Sequence, residues 1–153
     1  MRRFSHATRH VVRSTRVPGV QLHHLAKVQD PRGGLCAGEF LRDIPFVPKR
    51  FFLVFEVPNG KIRGEHAHKK CHQFLVCMSG ALTVSFSDGE KTGSVKLKRF
   101  GQAVYVPPGI WCSQKNYTRD AMLFVFASDY YDPKDYIREY KAYLKWKARM
   151  SPL

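Results

Sequence analysis

The sequence predicts an all-β sandwich or small barrel closed by one C-terminal helix. Three observations predict it: short β-branched and aromatic runs, turn signals between them, and a switch to helical spacing near the end. A chain of 153 residues holds one ordinary domain with a sizeable core and is too short for two. Hydrophobic residues make up 44% and charged residues 25%, a globular rather than a disordered composition.

The strands follow in order. Residues 20–25 lead into the turn Asp30-Pro31-Arg32-Gly33-Gly34, and residues 35–40 follow it. Residues 50–57 (RFFLVFEV) end at Pro58-Asn59-Gly60, and residues 73–78 end at Ser79-Gly80. Residues 82–86 alternate in and out before the hairpin-type turn Ser87-Asp88-Gly89. Residues 94–97, 103–106 and 122–127 complete a set of about eight short strands. Asp132 before Pro133 then reads as the N-cap and first turn of a helix over about 133–147. Tyr136, Tyr140, Tyr143, Leu144 and Lys147 give it an apolar stripe for the barrel's outside, and its six basic residues from Lys134 to Arg149 are expected to face water.

Charge narrows the partner. The net charge is +14, so an anionic partner or substrate is expected. Arg2, Arg3, Arg9, Arg13 and Arg16 meet no acid within the first sixteen residues, so residues 1–19 read as a flexible basic tail before a single domain over 20–153. The tail lacks the apolar middle of a secretory signal, and no apolar run approaches the roughly 20 residues of a membrane span. Cys36, Cys71, Cys77 and Cys112 form no C-x-x-C pair; reduced thiols in a cytoplasm are expected.

The segment Arg63-Gly64-Glu65-His66-Ala67-His68-Lys69-Lys70 carries the chemistry. On an extended strand His66 and His68 share one face. Cations gathered beside them at Arg63, Lys69 and Lys70 are costly to bury unless an anion meets them.

These residues resemble the cupin superfamily at two motifs in the right order. Gly60, five residues, His66-Ala67-His68, four residues, Gln73, six residues and Gly80 resemble the first. Gly101, five residues, Pro107-Pro108-Gly109, two residues, Cys112, three residues and Asn116 resemble the second. Gln73 and Cys112 stand where that superfamily usually has a metal-binding Glu and His. The resemblance implies a cupin jelly roll.

A closer resemblance is to the sugar-nucleotide 3,4-ketoisomerases, the FdtA- or QdtA-like cupins of dTDP-deoxysugar biosynthesis. It rests on RGxHAHKK followed by QFLVC, on Tyr105-Val106 with Pro108 and Trp111, and on Ala127–Asp132 with Asp135-Tyr136-Ile137-Arg138. It covers about residues 20–147. It implies a homodimer of jelly rolls with exchanged N-terminal strands, activity with no metal or other cofactor, and a dTDP-linked keto-deoxysugar as the partner. It implies His66 as the base at C3 of dTDP-4-keto-6-deoxyglucose and His68 as the shuttling or polarising group, chemistry that suits imidazole near neutral pH.

Arginine binds phosphate through a fork of donors, so Arg63 is the first candidate for the diphosphate. Arg32 is similar in place to a phosphate-binding position of the related dTDP-sugar 3,5-epimerases and is expected to reach across the dimer. Arg50 is a third candidate, with Lys69 beside the motif. Gln73 is expected to face inward, His72 outward, and Tyr105 and Trp111 to line the pocket. Cys112 reads as a small hydrophobe. One departure stands out: the family carries tyrosine fourteen residues before the first histidine, where this chain has Phe52. Phenylalanine handles no proton, so either Tyr105 or a water substitutes, or the outcome differs or the activity is reduced.

Three rival readings remain. A metal-dependent cupin enzyme would use His66, His68, Cys112 and Gln73 or His72. A dTDP-sugar 3,5-epimerase would share fold and ligand. A non-catalytic polyanion-binding cupin has only the charge in its favour; neither nucleic acid nor membrane is expected as a partner.

Overall fold

The computed structural model describes residues 6–151. In chain order the strands are β1 (His6–Thr8), β2 (Val11–Ser14), β3 (Gln21–His24), β4 (Ala26–Asp30), β5 (Gly33–Ala37), β6 (Arg50–Phe55) and β7 (Arg63–His68). They continue as β8 (Gln73–Ser79), β9 (Ala81–Ser87), β10 (Thr92–Lys98), β11 (Gln102–Val106), β12 (Trp111–Lys115), β13 (Met122–Ala127) and β14 (Tyr136–Ile137). One α-helix, α1, spans Tyr140–Met150.

Two sheets face each other as a jelly roll. One has six strands in the order β2-β3-β11-β8-β13-β6, the other five in the order β10-β9-β12-β7-β14; a small third sheet is β1-β4-β5. Period-2 alternation explains the core between them. On β8, Leu75 and Cys77 point inward with Val104, Val106, Leu123 and Val125 to meet Leu82, Val84 and Phe86 of the five-stranded sheet. Phe74 and Val76 point outward from the same strand and are covered by Leu25, Ile44 and Phe46. The helix covers the outside of the five-stranded sheet: Tyr143, fully buried, packs with Ala67 and Ile137 and reaches the carbonyls of Ser87 and Gly109 with its hydroxyl. Among the described residues no helix is long and apolar enough to cross a membrane.

The structure differs from the sequence reading in three places. Arg2 and Arg3 lie outside the described residues, but residues 6–8 and 11–14 of the expected tail are strands, β1 on β4 and β2 on β3. His10, between them, is held by Asp43 Oδ1 at 2.9 Å and by His23 Nδ1 at 3.0 Å. Second, β4 and β12 were absent from the reading, because AKVQD and WCSQK are polar enough to pass for loop. Third, the helix starts seven residues later than expected. Asp132 does cap, accepting from the Lys134 amide, but the turn it starts is a single 3-10 turn, Pro133–Asp135, after which Tyr136–Ile137 extend to pair with β7.

Candidate active site

Bulge geometry in β7 decides what faces inward. The strand pairs with β12 as Cys112↔His66, then Ser113↔Gly64 and Gln114↔Arg63, so Glu65 is an extra residue. Strict alternation would put Arg63 opposite His66. The extra residue reverses that, and Arg63 and His66 both line one cavity. Gly64, at φ +84°, is required there: a Cβ would lie 3.0 Å from the Cys112 carbonyl oxygen.

The cavity, about 220 Å³, lies between the two sheets. Phe52 and Val54 of β6, Leu75 of β8 and Val125 of β13 make its apolar floor, and Gln73 and Gln114 add amides. Arg50, Arg63, Arg138, Tyr131 and Tyr136 complete the lining, which includes three arginines and no carboxylate among the described residues.

His66 stands in this wall, and His68 stands behind it, edge-on at 4.9 Å between ring centroids. His68 Nδ1 bonds to Asp135 Oδ2 at 2.9 Å, inside the fold. The same carboxylate accepts from the Lys70 amide at 2.7 Å and the Cys71 amide at 3.3 Å. Burial opposes ionisation of Asp135, yet the bonds from His68 and the two amides hold it below the usual carboxylate value. A carboxylate there makes Nδ1 the protonated nitrogen of a neutral His68. Burial pushes His66 down to about 4, helped by His68, Arg138 and Arg50 and opposed by the Gly64 backbone. His68 is lowered too, by burial first, against the pull of Asp135. Both rings are therefore neutral at pH 7. His66 Nδ1 and His68 Nε2 are buried without a partner, an arrangement that costs about 1–3 kcal/mol per atom.

The remaining sequence candidates divide. Arg50 lies in the cavity wall, its Nε donating to the Asp129 carbonyl at 3.0 Å and Nη2 to the Tyr136 hydroxyl at 3.1 Å. Gln73 lines the cavity as expected of an inward residue. Four candidates lie elsewhere in this chain. Lys69 is past the strand's end, exposed, with Nζ on the Lys134 carbonyl. Arg32 sits on the β4–β5 turn, paired with Asp30 and exposed. Tyr105 points to the outer face of β11, where its hydroxyl meets His72 Nδ1 at 2.6 Å, so it cannot stand in at Phe52. Trp111 is on the outer face of β12 against Tyr140 and Tyr143.

Asp135, Tyr136, Arg138 and Gln114 were missed as site residues. Arg138 is exposed as expected, and it also lines the cavity and lies 4.2 Å over the Tyr136 ring. The helical reading through Tyr136 hid the first three, whose available signal was Asp135-Tyr136-Ile137-Arg138, quoted for resemblance but given no place in the site; Gln114 was lost with β12.

The donor chemistry fits a metal poorly. His68, Cys71 and Asp135 bring ligand atoms within 4.8 Å of one another, but both carboxylate oxygens already accept hydrogen bonds. Of the rival set, His72 faces the outer side of the sheet with Tyr105 and Phe46. Burial pushes the Cys112 thiol up to about 12, against its bond from Gln114, far from thiolate character.

Comparison with known proteins identifies this architecture. The family described as "FdtA: WxcM-like, C-terminal" matches residues 18–148. The chain is 38% identical over 125 residues to the TDP-4-oxo-6-deoxy-alpha-D-glucose-3,4-oxoisomerase of Aneurinibacillus thermoaerophilus, covering 82% of this chain and 90% of that one. A 3,4-ketoisomerase from Helicobacter canadensis superposes with TM-score 0.82 at 32% identity, covering 85% of this chain and 98% of the other. A mutant of the 3,4-ketoisomerase QdtA from Thermoanaerobacterium thermosaccharolyticum, in complex with TDP-4-keto-6-deoxyglucose, superposes with TM-score 0.83 at 30% identity, covering 88% and 97%. By sequence, fold and extent of match, the chain belongs to the FdtA, WxcM-like C-terminal family.

Proposed function

We propose that this protein is a sugar-nucleotide 3,4-ketoisomerase that converts dTDP-4-keto-6-deoxyglucose to a dTDP-3-keto-6-deoxyhexose in the cytoplasm, where its four free cysteines suit a reducing milieu. The observation that carries the reading is His66, neutral and half-buried in the wall of a cavity lined by three arginines. Its relatives and structural neighbours named as 3,4-ketoisomerases point the same way.

The chemistry follows from those groups. His66 takes the proton from C3, which the neighbouring ketone acidifies, and an enediol-type intermediate forms across C3 and C4. Cations around the cavity stabilise the oxyanion that develops. Proton movement between the two oxygens turns C3 into the ketone, and C4 is protonated. At about 220 Å³ the cavity is below the roughly 300–1,000 Å³ that encloses a drug-sized ligand, so it takes the sugar while the nucleotide lies across the mouth. Arg63, at the rim, is the diphosphate's first partner.

The test is to incubate the protein with dTDP-4-keto-6-deoxyglucose in deuterated water and follow the sugar protons by NMR. A 3-keto product carrying deuterium at C4 is expected; unchanged substrate overturns the reading. The pH profile is a second test. His66 must be neutral to act, so kcat/KM stays level from neutral pH down through the range where free histidine titrates and falls only near about pH 4. An acid limb near 6.5 would remove His66 as the base.

The assembly completes the proposal: a homodimer with exchanged N-terminal strands. Phe51, Leu53 and Phe55 of β6 are exposed beside Met78 and Met122, a contiguous apolar face of the kind that marks an interaction site. The β1-β4-β5 sheet pairs with neither main sheet and is mostly exposed. In such an exchange Arg32, exposed on the β4–β5 turn, is the residue proposed to serve the other subunit's cavity. Sedimentation should give twice the chain mass for the wild type and a monomer for Phe51→Glu; a monomeric wild type defeats this part.

A further inference from the structure

The cavity needs a group that delivers a proton to C4, and Phe52 has no hydroxyl to give. Among the lining residues only Tyr131 and Tyr136 carry a hydroxyl, and the amides of Gln73 and Gln114 are not acids. Tyr131 is largely exposed at the mouth. Tyr136 is half-buried and fixed by strand pairing: it is the direct partner of His68 across β14 and β7, which puts their side chains on one face. Its ring is 4.9 Å from that of His66 and 4.3 Å from that of His68. Arg50 aims Nη2 at its oxygen at 3.1 Å, and Arg138 lies over its ring. Arg50 can remain a donor to that oxygen after the proton has left it.

We propose that Tyr136, backed by Arg50, is the acid that protonates C4 and does the work for which Phe52 lacks a hydroxyl. This rests on the ketoisomerase reading. In the first half-reaction the C3–H bond breaks, its proton goes to His66, and the electron pair forms the C3=C4 bond while the C4 carbonyl becomes an oxyanion. The hydroxyl proton of C3 passes to that oxygen. In the second half, the pair from the oxygen on C3 forms the new carbonyl, the C3=C4 pair takes the proton of Tyr136 at C4, and a phenolate remains beside Arg50. Transfer of the proton from His66 to the phenolate, directly or through solvent, resets the site. No oxidant or reductant is consumed.

Tyr136→Phe keeps the ring against both histidines, and Arg50 keeps its bond to the Asp129 carbonyl. Three proteins are compared in deuterated water: wild type, Tyr136→Phe, and Phe52→Tyr in the Tyr136→Phe background. Product formation by Tyr136→Phe is expected to fall about 100-fold, while exchange of deuterium into C3 of recovered substrate continues within about threefold, because His66 still acts. Phe52→Tyr is expected to restore product at least tenfold in that background by supplying a hydroxyl from the opposite wall. Product formation by Tyr136→Phe at the wild-type rate overturns the proposal. So does a parallel loss of exchange and product without rescue, which marks a merely structural tyrosine. A wild type that makes no product and exchanges nothing at C3 fails the ketoisomerase reading itself.

Discussion

His66→Asn is expected to lower turnover of dTDP-4-keto-6-deoxyglucose by about 10³-fold, the middle of the range for loss of a general base. Asparagine keeps a polar group of similar reach but accepts no proton near neutral pH. The loss should fall on kcat, with KM within a few-fold of wild type, because Arg63 and the apolar floor still hold the nucleotide sugar. Stability should change by less than about 1 kcal/mol, since the buried Nδ1 of His66 has no partner to lose. Steady-state kinetics beside thermal unfolding measure both. Near-wild-type turnover in a folded variant would take His66 out of the chemistry and leave the cavity without its base.

The histidine pair and Arg63 were legible in the sequence because their types and spacing carry chemistry wherever the strand sits. Most strands were legible for a similar reason: aromatic and β-branched residues at period 2 leave few other folds. Which face an aromatic takes was not legible. Tyr105 and Trp111 each stand one residue from an inward position, Val104 or Val106 and Cys112, and a shift of one residue exchanges faces. Arg63 shows the same limit from the other side, since only the bulge at Glu65, a property of pairing with β12, turns it inward. Asp135, Tyr136 and Arg138 were hidden most deeply. An N-cap and spaced tyrosines favour a helix locally, and the pairing of two residues with β7 overrides that preference. That override brings the carboxylate, the phenol and a third arginine to the histidines.

Asp135 is where stability and turnover meet, so its substitutions should have the second large effect. Three N–H donors converge on its two oxygens: His68 Nδ1, the Lys70 amide and the Cys71 amide. Asp135→Ala strands all three in the interior, at about 1–3 kcal/mol for each that finds no substitute, so a loss of about 3 kcal/mol or more is expected in denaturant unfolding. Asp135→Asn separates the two roles. Its single carbonyl oxygen can still take one or two donors, but its amide nitrogen brings hydrogens to where hydrogens already point. The cheapest relief is for His68 to carry its proton on Nε2 and accept at Nδ1 instead. That tautomer turns an N–H toward the neighbourhood of His66 and removes the lone pair that shuttles protons, so kcat should fall about 100-fold with a smaller stability loss than for alanine. NMR of the His68 ring nitrogens would show the proton moving from Nδ1 to Nε2. If Asp135→Asn keeps both the wild-type tautomer and the wild-type kcat, the carboxylate only braces the turn after β7, and His68 needs no orienting partner.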